Sequence, residues 1–202
     1  MLLLTGAIEL GYSAYVIIDA NAYQVIEHRR LENARQHASA ALSDRHDPLL
    51  ASTISAVVEG ASIGEIRIPR LGLMAIIAQG ESPGVLRRAV GHLTDTPFPG
   101  EWGNVVLAGH RDTFFRALKQ IQAGDAITLN TQSGSFEYLV EWSAIVGPGD
   151  VAVMQSTRRP SLTLITCYPF SYVGPAPERF VVRARESSRY SGSKENRTTF
   201  RR

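Results

Sequence analysis

Few residues in this chain can do covalent chemistry. Cys167 is the sole cysteine among 202 residues, and it ends the run Leu162-Thr163-Leu164-Ile165-Thr166-Cys167, with Pro169 just beyond. A single thiol cannot staple a fold, and without clustered histidines it makes a poor metal site. Two readings are open from the residue alone: a small buried hydrophobe, or a nucleophile if its surroundings favour the thiolate. Two other residues stand at the edges of strand-like runs. His110 follows Val105-Val106-Leu107-Ala108-Gly109, and Arg179 precedes Phe180-Val181-Val182.

Together the three could run acyl transfer. A thiolate attacks a peptide carbonyl and later leaves, by way of a thioester. A histidine titrating near neutrality can give a proton to a departing amine and take one from an incoming amine. A guanidinium offers up to five N–H donors to a developing oxyanion and stays charged. Each residue also has a plainer reading. His110 could be a strand-end histidine bonded to backbone, and Arg179 a surface arginine paired with Glu178 or Glu186. Two arginines compete with Arg179. Arg111 adjoins His110 but would face the other way on a continuing strand, whereas Arg183 shares a strand face with Arg179.

The elements that must hold these residues read mostly as β. Ile63-Gly64-Glu65-Ile66-Arg67-Ile68 alternates with period two, as a half-buried strand should. Further strands are expected over 71–78, 104–108, 125–130, 136–146, 162–167 and 179–185. Short helices are expected over 85–90 and 113–120, the second capped by Asp112. About eight short strands with turn signals between them predict a closed barrel or a sandwich. There is no phosphate-binding glycine loop and no heptad pattern. The net charge of +2 is small, and no basic stripe suggests a nucleic-acid partner.

The N-terminal 20 residues are apolar apart from Glu9, Asp19 and a few small polar residues. About 20 helical residues span a bilayer core, so residues 1–20 are expected to form an uncleaved transmembrane anchor. Basic residues follow this run (His28, Arg29, Arg30) and none precedes it, which suggests a start inside a longer gene product. Residues 21–62 read as a helical stalk and linker, 63–186 as the catalytic domain, and 187–202 as a disordered basic tail. His28, His37 and His46 fall in the stalk and linker, where solvated surface is expected.

Four collinear segments carry a family resemblance. Thr163-Leu164-Ile165-Thr166-Cys167 matches the TLxTC signature of sortases at every fixed position. The chain also resembles sortases in Ile68-Pro69-Arg70-Leu71-Gly72-Leu73, in the run from Gly103-Asn104 through Gly109-His110-Arg111-Asp112-Thr113-Phe114-Phe115, and in Ala176-Pro177-Glu178-Arg179-Phe180. The His-Arg-Asp-Thr-Phe-Phe and Cys-Tyr-Pro-Phe wording is most like class D. The resemblance implies an eight-stranded sortase barrel, mainly β, on a single-pass membrane anchor, with the catalytic domain outside the cytoplasm. It implies a cysteine transpeptidase with Cys167 as nucleophile, His110 as acid and base, and Arg179 for the oxyanion or substrate positioning.

The implied donor is a sorting signal of the LPxTG type on a surface protein, cleaved after its threonine. The implied acceptor is an amine such as a cell-wall peptide stem or a pilin lysine. Ala75, Ile77, His92, Val105, Thr166 and Tyr168 are expected to line the donor groove, with the loop 168–177 as wall or lid. His92 also has a purely structural reading. No cofactor is expected, and no metal, because the region 156–160 has no dense acidic cluster. Two alternatives stand beside this reading: the same barrel acting mainly as a cysteine hydrolase, or a non-enzymatic surface binding module. A papain-like fold is disfavoured by the order His then Cys, both after strands.

Overall fold

The computed structural model describes residues 2–41, 58–172 and 174–190. Eight strands form the fold: β1 (Ser62–Ile68), β2 (Leu73–Gln79), β3 (Val90–His92), β4 (Asn104–Ala108), β5 (Ala126–Thr131), β6 (Ser135–Val146), β7 (Ser161–Tyr168) and β8 (Glu178–Tyr190). They close into a barrel in the order β1-β2-β3-β4-β7-β8-β6-β5. β2 with β3 and β4 with β7 are parallel, and the remaining pairs are antiparallel. The expected barrel is therefore the one observed, with strand edges within a few residues of expectation.

The period-two alternation sets the inside of the barrel. Ile66 and Ile68 of β1, Leu107 of β4, Leu129 of β5 and Leu162 and Leu164 of β7 are fully buried in one core. Burying such side chains stabilises the fold by roughly 1.5–3 kcal/mol each. The alternate residues of each strand face outward, which matters below because Cys167 is among them.

Helices differ more from expectation. α1 (Leu2–Ala41) is one continuous helix, and it docks on the barrel through a polar face. Asp19 pairs with Arg88 at 2.6 Å, and the Tyr23 hydroxyl donates to the Gly60 carbonyl at 3.0 Å. Gln24 accepts from the Ile76 amide at 2.8 Å and donates to the Arg88 carbonyl at 2.7 Å. His28 meets the buried Glu65 at 2.6 Å, and Leu31 is buried. Asp19, Tyr23, Gln24, His28 and Leu31 follow one another at steps of four, one, four and three residues, which keeps them within one half of the helix circumference. Residues 21–41 of the expected stalk thus lie against β1, β2 and α2 (Pro83–Arg88), and His28 is half-buried rather than solvated.

Among the described residues no helix is long and apolar enough to cross a membrane. The helix over 2–41 therefore lacks the apolarity expected of an anchor over 1–20, and Asp19, inside that stretch, is bound to the barrel through Arg88. The helix expected over 113–120 is a shorter 3-10 turn, Arg116–Gln120, with no side-chain cap from Asp112. β3, three residues long, is a strand that the sequence reading did not separate from the preceding helix. β8 continues to Tyr190, into the stretch expected as tail. Residues 191–202, and His46 in the linker, lie outside the described residues.

Candidate active site

Three neighbouring strands bring the three chemical residues to one end of the barrel. β4 and β7 run parallel, with Ala108 beside Ile165. Beyond that pair the Gly109 amide donates to the Ile165 carbonyl at 3.2 Å. The Thr166 hydroxyl donates back to the Gly109 carbonyl at 2.7 Å. These two bonds fasten the end of β4 to β7 one residue short of His110 and of Cys167. On the other side β7 and β8 run antiparallel, and Cys167 lies directly opposite Arg179. Residues so opposed have Cβ atoms about 4.5–5.5 Å apart and side chains on the same face.

That face is the outer one. Leu162 and Leu164 of β7, and Val182 and Ala184 of β8, belong to the interior core; Cys167 and Arg179 occupy the alternate positions. Cys167 is partly accessible and His110 is exposed. Among the described residues neither the His110 imidazole nor the Cys167 thiol makes a hydrogen bond. Arg179 uses Nη1 to donate to the Ala176 and Glu178 carbonyls at 3.2 and 2.9 Å. Its Nε and Nη2 make no bond among the described residues, which leaves donors for a substrate atom.

The turn carrying His110 is shaped by its neighbours. The Phe115 amide donates to the His110 carbonyl at 3.0 Å, closing the segment into a tight loop. Phe115 is fully buried, and its ring lies against Gly109, where a Cβ would come within 2.8 Å of it. Only glycine lets strand and ring approach so closely. Arg111, a rival for the arginine role, is turned to other work. Its Nη2 donates to the Tyr172 and Gly174 carbonyls at 2.7 and 3.0 Å, and its guanidinium lies 5.7 Å from the Tyr172 ring. It ties the His110 turn to the β7–β8 loop.

Of the six groove candidates, five are buried and Tyr168 is half-buried at the barrel rim. Ala75, Ile77 and Val105 are at most 1 % exposed and belong to the interior core, so they support the wall from inside instead of lining a groove. Thr166 is buried with its hydroxyl committed to Gly109. His92 is fully buried: Nδ1 meets Gln79 Oε1 at 2.9 Å, Nε2 meets the Pro97 carbonyl at 2.9 Å, and the ring stacks on Phe98. Burial pushes the pKa of this imidazole below its ordinary value. Tyr168 packs in an aromatic cluster with Phe170 and Phe180 at the barrel rim. The outer positions beside Cys167 are Ile165, Val181 and Ala108, of which Ile165 and Ala108 are half-exposed. Counting by twos from Cys167 and Arg179 would have found the first two.

Known proteins share both the sequence and this fold. Residues 66–187 match the Sortase domain family. The chain is similar to Sortase D of Bacillus subtilis, 31 % identical over 180 residues, covering 88 % of this chain and 91 % of that protein. Its fold is similar to that of a Clostridium perfringens Sortase D5 transpeptidase, with a TM-score of 0.65, 23 % identity and coverage of 84 % of this chain and 99 % of the other. Sortase E1 from Streptomyces coelicolor, with a tripeptide in its active site, matches with a TM-score of 0.60 and 27 % identity, covering 69 % and 96 % of the two chains. The family match covers more than half of the chain and carries the Cys, His and Arg positions with it: the chain belongs to the sortase family of cysteine transpeptidases.

Proposed function

We propose that this protein cleaves an LPxTG-type sorting signal after its threonine and transfers the threonyl acyl group from Cys167 to an amine acceptor. The observation that carries the reading is the pairing of Cys167 opposite Arg179 on the outer face, with His110 on the strand end fastened beside it. The Cys167 thiolate attacks the threonine carbonyl, and the oxyanion that forms meets the free N–H groups of Arg179. The tetrahedral intermediate collapses as His110 gives its proton to the departing glycine amine, leaving a thioester. His110 then takes a proton from the incoming amine, which displaces the thiolate and forms the new amide. The donor is a surface protein bearing the signal. The acceptor is a cell-wall peptide stem or a pilin lysine, which places the catalytic domain outside the cytoplasm.

The test is incubation with a sorting-signal peptide, followed by mass spectrometry of intact protein and products. A thioester on Cys167, and a new amide product when an amine such as triglycine is added, are expected. Cys167→Ala should abolish both, and His110→Ala should leave less than about one part in a hundred of the rate. A cleaved donor with no amide product at any amine concentration would mean that water is the working acceptor and the enzyme a hydrolase. Undiminished cleavage by Cys167→Ala would refute the mechanism outright.

A further inference from the structure

The chain leaving His110 crosses one end of the barrel before it enters β5, and it builds a groove on the way. β4 is antiparallel to β3, and β3 runs parallel to β2. The barrel end that carries His110, Cys167 and Arg179 therefore also carries the turn from β1 into β2. Between that turn and the 3-10 turn Arg116–Gln120 lies an open groove of about 480 Å³. Leu73, Met74, Phe114 and Ala117 give it an apolar lining. Among the described residues Arg116 and Lys119 are the only charged groups that line it.

The geometry of the 3-10 turn aligns the two cations. Phe115 and Leu118 are fully buried and hold the segment on the core. Side chains three apart in a 3-10 helix eclipse one another, and each residue rises about 2.0 Å. Arg116 and Lys119 thus share the side opposite the core, with Cα atoms about 6 Å apart. Both are exposed, and neither side chain has a hydrogen-bond or ion-pair partner among the described residues. The nearby carboxylates leave this charge unmatched. Asp112 is exposed and does not line the groove. Asp125 is bound by Arg70, through Nε and through Nη2 at 2.6 Å, and the same Nη2 donates to the Gln120 carbonyl at 2.5 Å. Arg70 so clamps the two walls of the groove together.

The groove lies within reach of His110. The Phe115 amide is bonded to the His110 carbonyl at 3.0 Å. The Cα atoms of His110 and Arg116 are therefore at most about 11 Å apart, the summed length of the links between them. Three extended residues cover about 10 Å. An acceptor with its amine at His110 can lay its next residues over Arg116 and Lys119. Side chains on one face of an extended chain are two residues apart, about 6.6 Å, close to the spacing of the two cations. We propose that this groove binds the acceptor, and that the acceptor it selects is a peptide with carboxylates two and four residues beyond its reacting amine. The inference rests on the transfer reading above and adds to it the chemical class of the acceptor.

The test is the acceptor KM at saturating donor, read from amide product, for the peptide amides Gly-Gly-Asp-Gly-Asp and Gly-Gly-Asn-Gly-Asn. In the wild type the acidic peptide should have a KM about tenfold below the neutral one. Raising salt from about 20 to about 200 mM should at least halve that ratio, since both cations are exposed to screening. In the double variant Arg116→Gln, Lys119→Gln the ratio should fall to about one, and Lys119→Glu alone should invert it. A ratio of one in the wild type, or a ratio that survives in the double variant, overturns the proposal. So does a double variant that forms the thioester more slowly in the absence of acceptor, because the groove would then serve the donor. Glycerol 3-phosphate competing at lower concentration than the acidic peptide would give the groove to a phosphate polymer and overturn it as well. Amide product from the neutral peptide shows in each case that transfer itself stands. If the wild type makes amide from neither peptide, the transfer reading fails and the inference with it.

Discussion

Thr166→Val tests whether one buried hydrogen bond sets the catalytic geometry. Thr166 is 2 % exposed, and its hydroxyl donates to the Gly109 carbonyl at 2.7 Å. Valine fills the same volume and removes only the donor, leaving a buried carbonyl short of a partner. Such a loss costs about 1–3 kcal/mol. For a domain of this size each kcal/mol lowers Tm by about 2–4 °C, so a fall of about 2–12 °C is expected in calorimetry. The more telling effect is on rate. Gly109 precedes His110, and Thr166 precedes Cys167, so this bond lies one residue from both reacting groups. A shift near 1 Å at such a point can cost up to about 100-fold in rate. We expect kcat for donor cleavage to fall at least tenfold, with KM changed less.

Thr166→Ser provides the contrast, since it keeps the donor and loses a methyl group. Serine should recover most of kcat while still showing some loss of stability. The outcome that sinks the reasoning is a Thr166→Val enzyme that melts lower and turns over at the wild-type rate. The β4–β7 fastening would then hold the barrel together without placing His110. Equal losses in the serine and valine variants would assign the effect to packing of the methyl group.

Two further predictions come from buried groups near the site. Gly109→Ala puts a Cβ within 2.8 Å of the fully buried Phe115 ring; overpacking of this kind costs about 1–3 kcal/mol. It should lower Tm and reduce kcat together, and Phe115→Leu in the same chain should recover part of both. His92 is buried, and desolvation holds its pKa below the ordinary value of about 6.5. The unfolded chain therefore binds more protons below that pH, so the stabilisation is complete above about pH 6.5 and is lost as pH falls toward the folded pKa. Urea midpoints measured from pH 7.5 to 5 should decline in this window, and His92→Gln should flatten the decline; parallel curves for the two proteins would assign the acid sensitivity elsewhere.

The placement of the three candidates was legible because each sits at a strand end that local pattern marks: an apolar run followed by Cys167, another followed by His110, a third preceded by Arg179. The barrel was legible for the same reason, since period-two alternation is a local signal. What escaped were features whose meaning depends on partners far along the chain. The stretch 21–62 reads as a stalk and linker because docking residues such as Gln24 and His28 find the Ile76 amide and Glu65 only in three dimensions. The groove candidates are placed differently from expectation, five of the six being buried. Apolar residues such as Ile77 and Val105 were chosen as a lining for an apolar peptide, yet in a closed barrel the inward alternation claims them for the core. A peptide that must reach Cys167 meets the opposite set, in which the half-exposed Ile165 and Ala108 stand beside Arg179. Asn104 and Thr163 lie within the segments that resemble sortases, and their outward direction follows from counting by twos. Their burial, the bond between them and the backbone carbonyls that Asn104 meets appear only in the fold.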